Sequence, residues 1–167
     1  MRRTVATLLA AVVLSACAGG SDEPRTAPSP SANVPVATAK PKVTKPSGPA
    51  PKDLVTEDIT VGTGAAVIPG QVVSVHYVLM EFDSGKEVES SWASNHPFQF
   101  TLGGGDVIEG WDKGLLGMRV GGRRQLVIPP RLGYGEEPDG ALGGKTLVFV
   151  VDVVGTGGAP AVVDDQQ

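Results

Sequence analysis

The chain has 167 residues and a formal net charge of −4, and its charges are unevenly distributed along the sequence. Residues 53–154 contain 14 acidic and 7 basic side chains, a balance of −7, whereas residues 18–52 contain 2 acidic and 5 basic ones, a balance of +3. This length is enough for one ordinary domain with additional segments. The acidic part has no basic patch, which argues against nucleic-acid binding. The single cysteine excludes an internal disulfide.

The first 16 residues have the features of an export signal. Arg2 and Arg3 precede an apolar run from Val5 to Leu14, which is too short to span a bilayer comfortably. The run ends in Leu-Ser-Ala-Cys at residues 14–17, which resembles the lipobox of bacterial lipoproteins. The resemblance implies cleavage before Cys17 and a lipid anchor on its thiol, with the mature chain on the outer face of the cell membrane. The alternative is an ordinary secretory signal that happens to contain a cysteine.

Residues 17–52 differ in composition from the rest of the chain. They contain eight of the fourteen prolines and no aromatic residue, so they bury too little apolar surface to offset the entropy of ordering. We therefore predict a disordered tether that begins at the lipidated cysteine. A second disordered segment is predicted for the tail, residues 156–167. All eight aromatic residues lie within residues 53–155, which we predict to form the globular domain.

Alternating apolar residues predict β-strands through most of this domain. The clearest alternation places Val73, Val75, Tyr77 and Leu79 on one face of a strand. Long strands are predicted in residues 72–82, 123–128 and 146–154, and shorter ones in residues 86–91 and 97–102. The alternation in the second and third long strands places these residues on one face of each: Leu126 and Ile128, and Leu147, Phe149, Val151 and Val153. Glycine-rich turns separate these segments.

Residues 107–118 carry the only helical pattern, because large apolar residues recur on one side: Val107, Ile108, Trp111 and Leu115. The predicted fold is therefore α+β, an antiparallel sheet with one short helix packed across it. So short a helix needs a large anchor, and Trp111 is the only candidate. A purely structural role for Trp111 leaves the concentration of nearby aromatic residues unexplained: Phe98, Phe100 and Tyr134.

No motif for nucleophilic, metal or nucleotide chemistry is present. The glycines at 103–105 complete neither a phosphate loop nor a dinucleotide fingerprint, and His76 and His96 are not spaced as metal ligands. If the domain is an enzyme, its reaction should need no nucleophile, metal or cofactor.

The order of motifs HYVLM, GKEVESS, PFQFTLGGGDVIEGW, GMRVGG, IPP and YG resembles the FKBP-type peptidyl-prolyl isomerases. The resemblance covers about residues 54–154, and the segment from Phe98 to Tyr134 is the most specific. The family fold is a twisted antiparallel sheet wrapped around a short helix, in agreement with the independent prediction. The resemblance implies proline-containing polypeptides and macrolides as ligands.

The resemblance also implies an apolar groove that receives a prolyl ring, with Trp111 as its floor. The implied groove residues are Tyr77, Glu89, Phe98, Val107, Ile108, Tyr134 and Phe149, and further contacts are expected at Val88, Phe100 and Leu142. The backbone N–H of Ile108 and the hydroxyl of Tyr134 are implied to bind substrate carbonyls. Glycine at 110 is implied to let the helix lie close against the sheet.

Three departures from the family pattern bear on activity. Val88 and Glu89 stand where active members usually have Phe-Asp, and the loop after Tyr134 is short and lacks the usual Ile-Pro-Pro. The extra methylene of Glu89 is expected to misplace its carboxylate, which in the family bonds toward Tyr77, and so to loosen the groove wall. We expect a monomeric isomerase of reduced activity and weakened macrolide affinity, acting on exported proteins. The alternative is a low-turnover module that binds prolyl segments or a partner protein at the cell surface. The retained aromatic groove residues favour the isomerase, whereas Val88 and Glu89 favour the binding module.

Overall fold

A computed structural model describes residues 38–138 and 140–157 of the chain. The predicted signal peptide, the predicted lipidation at Cys17 and most of the predicted tether and tail lie outside these residues. Within the described ranges, no helix is both long enough and apolar enough to cross a membrane.

The domain is built on one six-stranded sheet in which all pairs are antiparallel. The strands are β1 Val55–Thr60, β2 Val72–Glu81, β3 Glu87–Ser90, β4 Phe98–Thr101, β5 Arg123–Ile128 and β6 Leu147–Thr156. Their order is β1-β5-β6-β2-β3, and β4 pairs with the first half of β2. The prediction of an antiparallel sheet with one short helix is confirmed.

The sequence did not predict β1. This strand lies at the edge of the sheet, pairs only with β5, and has six exposed residues. Its apolar members Val55 and Ile59 are 46% and 53% exposed. A strand with both faces in solvent has no buried face, so it leaves no hydrophobic alternation to detect.

The only α-helix in the described residues is α1, Glu109–Gly114, which is shorter than the predicted segment 107–118. Ile108 has an extended backbone with φ −61° and ψ 146°, so the apolar pair 107–108 precedes the helix. A Cβ atom built on Gly110 would lie 2.5 Å from Cγ2 of Ile128, and one on Gly114 would lie 2.8 Å from Cδ2 of Leu126. The glycines therefore allow α1 to approach β5 closely, at a cost in helix stability.

The main core lies between α1 and the inner face of the sheet. Trp111 of α1 is only 3% exposed and packs among residues from β2, β4, β5 and β6. The core includes the residues predicted to share one face of β5 and β6: Leu126, Ile128, Leu147, Phe149, Val151 and Val153. This placement confirms the predicted facing of those two strands.

A second apolar cluster lies on the outer face of the sheet and consists of Met80, Phe82, Val127 and Val148. Val43 packs against this cluster, and Pro41 is also buried. We call residues 39–45 the N-terminal strap. The covering explains why β6 has buried apolar residues such as Val148 on its outer face as well as on its inner face, although it belongs to an antiparallel sheet.

Polar contacts also hold the strap to the domain. Lys40 Nζ lies 2.6 Å from Glu87 Oε1, and Nη2 of Arg123 donates to the carbonyl oxygen of Ala39 at 3.0 Å. Lys45 Nζ donates to the carbonyl oxygen of Asp83 at 2.9 Å. The strap thus departs from the predicted disordered tether, because its proline and valine supply apolar surface and its lysines find acceptors on the sheet.

Candidate functional site

A pocket of about 340 Å³ opens beside the start of α1. All eight residues predicted as principal groove contacts line it: Tyr77, Glu89, Phe98, Val107, Ile108, Trp111, Tyr134 and Phe149. They come from β2, β3, β4, the segment before α1, α1 itself, the loop after β5, and β6. The fold therefore brings distant parts of the chain to one concave site.

Trp111 forms the floor and is surrounded by four aromatic rings. Its centroid lies 5.3 Å from those of Tyr77 and Phe149, 5.4 Å from that of Phe100 and 6.1 Å from that of Phe98. The rings of Tyr77, Phe98 and Phe149 meet the indole at 80°, 81° and 84°. These are favourable edge-to-face contacts, and they make a rigid apolar box.

Two tyrosines line the pocket, and the pKa of each hydroxyl is raised, which favours the protonated form. Tyr77 donates its hydroxyl hydrogen to Glu89 Oε1 at 2.8 Å. Burial, and then the hydrogen bond to Glu89, raise the pKa of Tyr77 well above its usual range. Burial and the Glu89 charge also raise the pKa of Tyr134. Tyr134 is 51% exposed, so its hydroxyl is available to donate to a ligand.

The hydrogen bond to Tyr77 corrects one sequence-based expectation. The extra methylene of Glu89, relative to the usual aspartate, was expected to misplace the carboxylate and loosen the groove wall. Glu89 instead reaches Tyr77 at an ordinary hydrogen-bond distance, because it stands directly across from Leu79 in the β2–β3 register.

The backbone of Tyr77 is fixed by the turn that follows β3. Ser91 Oγ accepts the Tyr77 backbone N–H at 2.9 Å, and Ser90 Oγ donates to the Tyr77 carbonyl oxygen at 3.2 Å. Ser91 Oγ also lies 3.0 Å from His76 Nδ1, and the His76 ring stacks on Trp92 with centroids 4.4 Å apart. Tyr77 is therefore positioned at its hydroxyl, its amide and its carbonyl.

Ile108 presents a backbone donor at the start of α1. Its carbonyl accepts the N–H of Trp111 at 2.9 Å. Within residues 38–138 and 140–157, its own N–H has no hydrogen-bond acceptor. Ile108 is one of the residues that line the pocket.

Three residues predicted as further contacts do not line the pocket: Val88, Phe100 and Leu142. Val88 falls at the register irregularity of β3 and is 46% exposed. Phe100 is buried and stacks on the ring of Phe98 at 5.8 Å. Leu142 packs partly buried against the main core. The bulge at Val88 and the burial of Phe100 against Phe98 are tertiary features, and strand alternation alone does not predict them.

The pocket has three lining residues that sequence reasoning missed: Leu79, Gly105 and Asp106. Leu79 had been assigned to the inner face of β2, which was a usable signal. Asp106 follows a run of glycines, and its Oδ2 accepts the backbone N–H of Thr101 at 3.3 Å. No cluster of three or more His, Cys, Asp or Glu side chains in the described part of the chain could hold a metal ion.

Comparison with known proteins identifies the family. The sequence profile of FKBP-type peptidyl-prolyl cis-trans isomerases matches residues 64–154. The chain belongs to this family. A probable FK506-binding protein of Corynebacterium glutamicum is 52% identical to this FKBP chain over 116 residues, which is 69% of the chain and 97% of that protein. An FK506-binding protein of Streptomyces anulatus is 51% identical over 120 residues, which is 69% of this chain and 95% of that protein.

Solved FKBP structures agree with the observed fold. FkpA from Escherichia coli aligns with a TM-score of 0.58 and 38% identity, over 64% of this chain and 49% of that one. The crystal structure of AtFKBP13 aligns with a TM-score of 0.57 and 33% identity, over 65% of this chain and 96% of that one. The FKBP domain of this chain thus corresponds to nearly the whole length of several relatives.

Proposed function

We propose that the chain catalyses rotation about Xaa-Pro bonds in exported proteins, with the prolyl ring seated over Trp111. The observation that carries this proposal is the aromatic box around Trp111, with two free donors at its edge. An Xaa-Pro bond prefers trans by only about 0.5–1 kcal/mol, but its rotation barrier is about 20 kcal/mol. An enzyme therefore has to lower the barrier without changing the chemical bonds.

The proposed mechanism follows from the composition of the pocket. Amide resonance makes the barrier, and water stabilises the resonant, charge-separated form. The apolar box removes water from the prolyl amide and so favours the twisted, less resonant state. The N–H of Ile108 and the hydroxyl of Tyr134 hold the flanking carbonyls in place. This is preferential binding of the transition state, without a covalent intermediate.

We propose a reduced rate because two parts of the chain that form the groove in active family members differ here. Val88 contributes no wall, and the loop after Tyr134 is short. A loss of about 1–3 kcal/mol of transition-state stabilisation corresponds to roughly ten- to a hundredfold in rate. Protease-free isomerisation assays should show a slow enzyme that Val88→Phe accelerates. A wild-type rate equal to that of the fastest family members, or no gain in the variant, would remove this explanation.

The low-turnover binding module stays the second candidate because Val88 and Glu89 replace the Phe-Asp pair that active family members usually have. The relatives named for FK506 also lead us to propose a macrolide ligand in this pocket. The two candidates differ in one observable. An isomerase increases cis–trans exchange of the bound peptide, whereas a binding module shifts the peptide signals without increasing exchange.

We further propose that the mature chain is a monomer anchored to the outer face of the cell membrane through Cys17. The Leu-Ser-Ala-Cys sequence at the end of a short apolar run supports this proposal. Fractionation of expressing cells should recover the chain with membranes, and Cys17→Ser should move it to the soluble fraction. Equal membrane retention of the two chains would contradict the anchor. The proposed division of the chain is a signal peptide at residues 1–16, a tether at residues 17–52, an isomerase domain at residues 53–155 and a tail at residues 156–167.

A further inference from the structure

The mouth of the pocket carries two carboxylates and no cationic side chain. Of the residues that line it, only Glu89 and Asp106 are formally charged, and both are exposed. Glu89 is contributed by β3, and Asp106 by the segment that leads into α1. A ligand therefore meets negative charge at the rim and apolar surface at the floor.

Neither carboxylate is neutralised by the domain. In the described part of the chain, every ion pair of a lysine or arginine involves another acid. Glu89 accepts from the Tyr77 hydroxyl and Asp106 accepts from the Thr101 amide, and these neutral donors position the oxygens without cancelling their charge. The excess of acids in residues 53–154 adds a field of the same sign, which favours the approach of cations.

We propose that this pocket prefers prolyl segments in which a lysine or arginine stands next to the proline. The inference rests on the proposed function, because it assumes that the prolyl ring occupies the floor over Trp111. The side chain of a neighbouring residue then leaves the pocket at the rim. The apolar stem of a lysine or arginine can lie along the aromatic wall while its charged group reaches Glu89 or Asp106.

The size of the preference is limited by the exposure of the two carboxylates. Exposed ion pairs are weak, so we expect each carboxylate to contribute roughly 1.5- to 5-fold in affinity or kcat/KM. Salt should reduce the effect, because the screening length is about 10 Å at about 0.1 M and about 3 Å at about 1 M. A strong dependence on salt therefore separates this charge preference from a preference for side-chain size.

Exchange NMR on a chain lacking residues 1–17 provides the test. The substrates are Ala-Xaa-Pro-Phe peptides with lysine, glutamine or glutamate at Xaa, and Ala-Leu-Pro-Xaa peptides with the same three residues after the proline. In at least one series kcat/KM should fall from lysine to glutamine to glutamate, with a lysine-to-glutamate ratio of about 5 at low salt. Asp106→Asn should reduce that ratio by roughly 1.5- to 5-fold. Glu57→Gln is the matched control, because it removes an exposed acid of β1 outside the pocket and should leave the ratio unchanged.

The outcomes separate this inference from the proposed function. If the glutamine peptides are turned over but all three residues give equal rates in both series, the charge preference is overturned and the isomerase stands. If no peptide is turned over, the proposed isomerase fails. Peptide affinities, measured from the shift of the Trp111 indole N–H signal, then test the charge preference. Tighter binding of the lysine peptides than of the glutamate peptides supports the charge preference, whereas equal or undetectable binding overturns it. If Glu57→Gln and Asp106→Asn reduce the lysine-to-glutamate ratio equally, the preference comes from the net charge of the domain, and the proposed role of the carboxylates at the rim is overturned.

Discussion

Replacing Trp111 by leucine tests whether the pocket floor is structural, functional or both. Trp111 is 3% exposed, and full truncation of such a side chain to alanine costs about 3–5 kcal/mol. Leucine retains part of this burial, but loses roughly 80 Å² of apolar contact, worth about 2 kcal/mol. The edge-to-face contacts with three rings are also lost, at about 0.5–1.5 kcal/mol each.

An opposing contribution comes from the indole nitrogen. Trp111 Nε1 is buried and has no hydrogen-bond partner among the described residues. Removing a buried donor that lacks a partner recovers about 1–3 kcal/mol. We therefore expect Trp111→Leu to lower the free energy of unfolding by about 2–4 kcal/mol. A domain with a typical stability of about 5–15 kcal/mol then stays folded.

The assay combines urea unfolding with peptide isomerisation. We expect Trp111→Leu to remain folded and to lose at least about tenfold in kcat/KM, because the prolyl ring loses its floor. Trp92→Leu is the matched control, since Trp92 also has a buried Nε1 without a partner in the described residues but lies outside the pocket. It should lose stability and keep substrate binding. Wild-type turnover by a folded Trp111→Leu variant would refute the assignment of Trp111 as the floor.

Three further predictions concern the parts of the fold that support the site. Gly110→Ala should destabilise the domain by about 1–3 kcal/mol in urea unfolding, because its Cβ has no room beside β5, and an unchanged midpoint would contradict that packing. Tyr77 and Tyr134 have folded-state pKa values above the unfolded value of about 10, so the folded state retains protons that the unfolded state loses. Their contribution is fully present below about pH 10 and is lost above it. The urea midpoint should therefore fall on the alkaline side, and Tyr77→Phe should weaken that fall. Val43→Asp should lower stability by about 1–3 kcal/mol by placing a charge against the outer apolar cluster, whereas Lys42→Asp, at an exposed position of the strap, should not.

The sequence predicted the three long strands that have a buried face and missed β1, which has none. The alternation in β2, β5 and β6 was readable because one face of each strand enters the main core. β1 was not predicted because all six of its residues are exposed and leave no hydrophobic alternation in the sequence. The predicted helix began two residues too early, because Val107 and Ile108 have helical spacing but precede α1, where they pack partly buried against the main core.

The site was predicted through family resemblance rather than through spacing. The residue pattern marked Trp111 as the anchor of a short helix, and it showed a concentration of aromatic residues nearby without assigning them to a site. The other contacts come from six further segments of the chain, and no local periodicity reports their convergence. Asp106 was missed because an acid after a glycine turn is ordinarily a solvated residue. The strap was missed because a proline-rich composition does not reveal the few residues that find a docking surface.

The most direct test of the central claim is one NMR titration of a Trp92→Phe chain, in which Trp111 supplies the only indole signal. A Leu-Pro peptide is added, and the Trp111 indole N–H shift and the cis–trans exchange rate of the peptide are recorded in the same samples. We expect a saturable, peptide-dependent shift of the Trp111 signal together with exchange above the uncatalysed rate, and both effects of the peptide should be lost when a macrolide ligand fills the pocket. Accelerated exchange with an unperturbed Trp111 signal, or a bound peptide with no accelerated exchange, would contradict it.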